Sequence, residues 1–266
     1  MLLSPTGFLA VDGAELEYRL IGAQPADGPC IVMLHEGLGS VDLWGDFPDR
    51  LHHATGASVF VYSRAGYGAS SPVTLPRPLD YMQREAREVL PQLLDMIGFR
   101  TGILVGHSDG ASIAALYAGS HQDHRLRGVV LIAPHVLVED VSVASIGAIK
   151  TAYETSELRT KLARWHKDVD NAFYGWNSAW LDPAFRAWDI SEEMAYIRVP
   201  VAVIQGVDDQ YGTARQIEII QDECYCPVEV TMLPGVGHSP HREAPEMTLK
   251  VIADFHAATS PAASQI

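Results

Sequence analysis

Gly106-His107-Ser108-Asp109-Gly110 has the spacing G-x-S-x-G, and its central serine could act as a nucleophile. A serine hydroxyl is weakly nucleophilic near neutral pH and needs a base beside it, itself oriented by an acid. Two later loops supply candidates in the chain order Ser…Asp…His. "VAVIQGVDDQYG" (201–212) offers Asp208 and Asp209, and "LPGVGHSPHREAPE" (233–246) offers His238. An imidazole can accept the serine proton and return it to a leaving group. Taken singly, each is a common surface residue. Together they form a nucleophile, a base and an acid at three successive strand ends.

Those positions depend on the elements around them. "GILVG" (102–106) reads as a strand leading into the serine, and "ASIAALYAG" (111–119) as a helix leading out. A sharp strand-to-helix turn raises the hydroxyl above the sheet, and flanking glycines allow strand and helix to approach closely. "CIVML" (30–34), "ASVFVY" (57–62), "GVVLIA" (128–133), "VAVIQ" (201–205) and "VEVTM" (228–232) read as further buried strands. Apolar spacing predicts helices over 80–97, despite Pro91, and over 213–221 and 246–255. Residues 7–22 read as a hairpin turning at Asp12-Gly13. Strands alternating with helices predict an α/β fold with a mostly parallel central sheet, its functional loops at the carboxyl ends of the strands.

Residues 140–196 break this rhythm, and they hold Trp165, Trp176, Trp180 and Trp188. So many large aromatics outside the sheet suggest a helical cap over the strand ends. The plainer alternative is a helical excursion whose aromatics only pack on the core. The expected division is a core of 1–139 and 197–266 with a cap of 140–196. The small-residue tail "AATSPAASQI" (257–266) is expected to fray.

Composition narrows the partners. Net charge is −14, from 33 acidic residues against 19 Lys and Arg, and no basic stripe is visible. This argues against nucleic acid and anionic membranes and for a small-molecule substrate. No apolar run approaches the ~20 residues needed to span a bilayer. "MLLSPTGFLAVDG" lacks a basic leader, so a cytoplasmic location is expected. Cys30, Cys224 and Cys226 form no disulfide framework or metal-ligand spacing and read as reduced thiols. No cofactor or metal is expected.

Nearly the whole chain resembles the α/β-hydrolase fold family. The matching pieces are "MLHEGLGS", "YSRAGYGASS", "VGHSDGAS", "IQGVDDQYG" and "GVGHSPHREAPE". The resemblance implies Ser108 as nucleophile and His238 as base. It favours Asp209, three residues after Gly206, over Asp208 as the acid. It also implies an oxyanion hole made by the backbone N–H groups of Asp109 and Gly37, and a pocket shaped by the cap. Enzymes of this fold that use aspartate at the elbow, the dehalogenases and epoxide hydrolases, are disfavoured by Ser108.

Several side chains are left with two destinations. Glu36 replaces the glycine that more commonly follows the loop histidine; its carboxylate is expected either to face solvent or to support residues behind the pocket wall, or else to engage a polar or cationic substrate group. Asp109 is expected to be a helix-start acid favoured by the dipole, its N–H alone mattering to chemistry. His107 is expected to be a packed, hydrogen-bonded residue and Arg64 a loop-fixing one. His135 and Glu139 are either pocket residues or hinge and cap residues. Trp176 and Trp180 are candidate pocket walls. The function expected is a serine hydrolase, carboxylesterase-like, cleaving an ester or thioester of a small, largely apolar acyl substrate. The alternatives are a carbon–carbon bond hydrolase or cofactor-free perhydrolase using the same triad, and a non-catalytic ligand-binding protein. The oligomeric state is left open.

Overall fold

The computed structural model describes residues 2–260. Eight strands form one sheet: β1 (Thr6–Val11), β2 (Ala14–Ile21), β3 (Cys30–Leu34), β4 (Ser58–Tyr62), β5 (Gly102–His107), β6 (Leu126–Ile132), β7 (Val201–Gly206) and β8 (Val228–Leu233). Their order is β1-β2-β4-β3-β5-β6-β7-β8. β2 runs antiparallel to both β1 and β4, and the strands from β4 to β8 are parallel. The β1–β2 hairpin turns at Asp12 and Gly13, both at positive φ (49° and 78°), as a tight turn between twisted strands requires.

Alternation along the strands divides the core in two. Val32, Leu34, Phe60, Leu104, Val129, Leu131 and Val203 point to one face. Ile31, Met33, Val59, Val61, Val105, Val130 and Ile204 point to the other. The helix Asp109–Ser120 covers the first face, and the helices Phe47–Thr55 and Pro245–Thr259 cover the second. This two-sided burial explains why the central strands read as continuous apolar runs.

β8 corrects the expectation of burial throughout. It pairs only with β7, and most of its residues are partly exposed, because an edge strand is enclosed on one side alone. The predicted helix over 80–97 is α-helical at 81–84 and 90–96, with a π turn at Glu85–Val89 between them. Pro91 has no N–H to offer the carbonyl of residue 87 and its ring crowds that carbonyl, so the turn widens there. The tail expected to fray from Ala257 instead continues the last helix to Thr259, while 261–266 lie outside the described residues.

Between β6 and β7 the chain makes a helical excursion whose two ends are tied together. Leu137 bridges Asp189, and Ile190 N–H donates to the Val136 carbonyl at 2.8 Å. Its longest helices are Asp140–Thr155 and Val169–Trp180. They join through Tyr153 and Phe173, whose rings stack with centroids 3.6 Å apart. Asp168 starts the second helix by accepting the Asn171 N–H at 3.0 Å. Trp176, Trp180 and Trp188 are buried, whereas Trp165 is 39% exposed and only partly covered. Among the described residues, no helix is long and apolar enough to cross a membrane.

Candidate active site

The turn from β5 into the helix Asp109–Ser120 places Ser108 at φ 52°, ψ −121°. This is a strained conformation for a residue with a side chain. Close packing makes the two flanking glycines necessary. A Cβ on Gly106 would strike the Gly110 carbonyl, and one on Gly110 would strike the carbonyls of Leu34 and His35. Ser108 is held from behind by its own N–H, which donates to the Ile132 carbonyl at 2.9 Å.

Three strand ends converge on its hydroxyl. His238 Nε2 lies 2.9 Å from Ser108 Oγ, and His238 Nδ1 lies 2.8 Å from Asp209 Oδ2. A carboxylate can only accept, so Nδ1 carries the proton and Nε2 is left to accept from the serine. Asp209 is fixed in turn by Gln205 Nε2 at 2.9 Å and by the Tyr211 and Gly212 N–H groups at 2.7 and 3.3 Å. Burial alone would raise its pKa, but its bonds to His238 and Tyr211 override that and hold the carboxyl below its usual value. Asp208, the other candidate acid, is exposed. The structure therefore brings Ser108, His238 and Asp209 together and leaves Asp208 out.

Gly37 and Asp109 both line the cavity above Ser108. Neither backbone N–H has an acceptor among the described residues. Arg64 shapes this loop as expected, donating to the carbonyls of His35 and Glu36. Gly37 also admits the far wall of the site, since a Cβ there would collide with the Trp176 indole nitrogen.

The Asp109 carboxylate departs from its expected place. It does not turn to the helix start but is buried, accepting from Tyr81 Oη at 2.5 Å and from Trp180 Nε1 at 3.3 Å. Burial raises its pKa, and Arg64, Tyr81 and Trp180 only partly offset that. Tyr81 is a site residue that sequence reasoning missed; it lies 28 positions away in a helix with no distinguishing motif.

Glu36 is among the residues that line the cavity. On its other side it is held by His107 Nδ1 at 3.4 Å and Arg242 at 3.7 Å. Burial would raise its pKa, yet His107, Arg242 and His241 keep it well below the usual carboxylate range. His107 has the packed role expected of it, with Nε2 2.7 Å from the His238 carbonyl. The two undecided residues after β6 part company. His135 lines the cavity, whereas Glu139 accepts from Thr213 and Gln216 outside it.

The cavity has a volume of about 230 Å³. Its apolar walls are Leu38, Ile146, Trp176 and Trp180, with Tyr211, Gln210 and Ser239 near the histidine loop. Among the described residues, no three His, Cys, Asp or Glu converge as metal ligands.

A serine on a strained strand-to-helix turn, joined to a histidine and an acid from later strand ends of a mostly parallel sheet, defines an α/β-hydrolase arrangement. The alpha/beta hydrolase family model matches residues 31–251, and the chain belongs to that family. Its sequence is 26% identical to the bifunctional esterase/perhydrolase of Acinetobacter calcoaceticus over 229 residues, 75% of this chain and 80% of that protein. It is 25% identical to a non-heme haloperoxidase of Rhodococcus erythropolis over 236 residues, 76% and 81% of the two chains. Its fold is similar to the enol-lactonase of Burkholderia xenovorans LB400, with a TM-score of 0.73 at 19% identity over 94% of this chain and 99% of that one.

Proposed function

We propose that this hydrolase-family chain is a serine hydrolase that cleaves an ester or thioester of a small acyl substrate through Ser108, His238 and Asp209. The observation that carries the reading is the unbroken chain Asp209–His238–Ser108, at 2.8 and 2.9 Å, opening into a cavity. Ser108 Oγ attacks the carbonyl carbon while its proton passes to His238 Nε2, and Asp209 stabilises the imidazolium. The N–H groups of Asp109 and Gly37, which have no acceptor among the described residues, hold the oxyanion. The tetrahedral adduct expels the alcohol or thiol, which takes the proton from His238. Water, deprotonated by His238, then attacks the acyl-enzyme, releasing the acid and regenerating Ser108.

In this reading the helical excursion, residues 140–196, is a cap whose Trp176 and Trp180 wall the acyl pocket. A volume of about 230 Å³ lies below the ordinary ~300–1,000 Å³ of ligand sites, which favours a short acyl group. Similarity to an esterase/perhydrolase supports the choice of ester over other bonds.

The test is covalent labelling with a fluorophosphonate, read by intact mass and peptide mapping. Labelling is expected on Ser108, and it should disappear in Ser108→Ala together with turnover of p-nitrophenyl acetate, a loss on the order of 10⁶. Labelling at another residue, or labelling that survives the substitution, overturns the proposal.

A further inference from the structure

The two buried tryptophans above the nucleophile differ in what their N–H groups do. Trp180 Nε1 is spent within the protein, on Asp109 Oδ1 at 3.3 Å and Tyr81 Oη at 3.2 Å. Trp176 is almost as buried, at 7% exposure, and lines the cavity, yet its indole N–H makes no side-chain hydrogen bond among the described residues. Its nitrogen packs against Gly37, beside the N–H assigned to the oxyanion. An indole N–H can only donate, so its partner must be an acceptor.

A second side chain with an unpartnered group lines the same cavity. His135 is 3% exposed and lines the cavity, and its buried Nδ1 has no hydrogen-bond partner among the described residues. Burial, with His238 nearby, lowers its pKa to about 3, so the ring is neutral and offers a hydrogen bond without charge. A neutral imidazole donates from one nitrogen and accepts at the other. A purely apolar acyl chain would strip water from both side chains and return no hydrogen bond. Sites built with buried polar groups discriminate against ligands that leave those groups unpaired.

Charge settles which oxygen function fits. The lining includes the acidic residues Glu36 and Asp109 and no Lys or Arg. A substrate carboxylate would meet like charge, whereas a hydroxyl, ether or ketone oxygen would not.

We propose that the acyl group held in this cavity carries a neutral oxygen function, a hydroxyl above all, hydrogen-bonded by Trp176 Nε1–H and His135. A hydroxyl suits both partners, accepting from the indole and bonding the imidazole in either direction. The inference rests on the serine-hydrolase reading and refines it, replacing a largely apolar acyl group by a short oxygenated one.

The test compares ethyl butyrate, ethyl 2-hydroxybutyrate, ethyl 3-hydroxybutyrate and monoethyl succinate by pH-stat, with wild type, Trp176→Phe and His135→Phe. Wild type is expected to favour one hydroxybutyrate over butyrate by about tenfold in kcat/KM, after correction for alkaline hydrolysis rates, with the succinate slowest. Trp176→Phe should erase most of that preference, chiefly through KM, because phenylalanine retains a ring but no donor. The wild-type comparison needs no variant to fold. A wild-type preference for butyrate or succinate overturns the proposal, as does a Trp176→Phe loss equal for all esters. Fluorophosphonate labelling of Ser108 alongside such a result leaves the hydrolase reading standing and only the oxygenated acyl group lost. No labelling and no hydrolysis of any ester removes both.

Discussion

The sheet side and the helical side of the cavity are built on opposite plans. On the sheet side the polar groups are engaged with one another. Asp209 accepts from His238, Gln205, Tyr211 and Gly212, and His238 reaches Ser108. On the helical side, among the described residues, the buried Trp176 donates no side-chain hydrogen bond and the buried Nδ1 of His135 has no partner. Groups that must meet developing charge at the moment of reaction work best when already fixed. Groups that recognise a ligand must keep a bond to give. Trp180 belongs to the helical side by position but to the sheet side by behaviour, because its N–H is committed to Asp109 next to Ser108.

The sharpest way to break this comparison is to disturb the fixed side. Asp209→Asn replaces the acceptor that sets the His238 tautomer, and turnover of p-nitrophenyl acetate is expected to fall by about 10⁴. Asp208→Asn, at an exposed neighbour, should leave turnover within about twofold. A larger loss in Asp208→Asn would place the acid elsewhere and dissolve the contrast.

A smaller effect probes the link between the two sides. Tyr81→Phe removes the 2.5 Å donor to the buried Asp109 carboxylate while keeping the ring. The loss is expected to be about 2 kcal/mol in urea unfolding, the cost of a buried acceptor deprived of its principal donor. An unchanged midpoint would mean that Trp180 alone satisfies Asp109.

The smallest effect lies at the opposite end of the sheet, where residues should serve stability and not turnover. Asp123 accepts from Arg125 at 2.8 Å and from Tyr117 at 2.6 Å. Although burial opposes it, the Arg125 bonds lower its pKa to about 2. The folded value lies below the unfolded ~3.9, so the carboxylate stabilises the fold above about pH 4, and that contribution is lost as pH falls through about 2. Asp123→Asn should reduce stability at pH 7 by about 1 kcal/mol, after discounting for solvent screening. It should also flatten the pH dependence between 4 and 2, with p-nitrophenyl acetate turnover unmoved. An unaltered acid limb would assign the pair no energetic role.

The parts legible in advance were those written in local pattern. Val- and Ile-rich runs marked six of the strands to within two residues at each boundary, and Asp12-Gly13 marked the hairpin turn. Glycines two residues either side of Ser108 marked a close approach of strand and helix. What stayed illegible involves residues far apart in the chain. Glu36 finds Arg242, and Asp109 finds Tyr81 and Trp180, 28 and 71 positions away. Nothing within a window of neighbours distinguishes Tyr81 from any other helix tyrosine. The edge position of β8 was hidden for the same reason, since burial depends on which strands lie alongside.

The amino-acid sequence by itself determined the alternation of strands and helices, the strained serine turn and the order in which an acid and a histidine follow it. Backbone preference and hydrophobic period act over a few residues, and these features need no more. Only the tertiary structure decided which polar groups satisfy one another and which remain open. Two tryptophans four positions apart on one helix share the same chemistry and nearly the same burial. Packing gives one an acidic partner and leaves the other without one among the described residues, and hydrogen-bond satisfaction is a property of that three-dimensional surrounding alone.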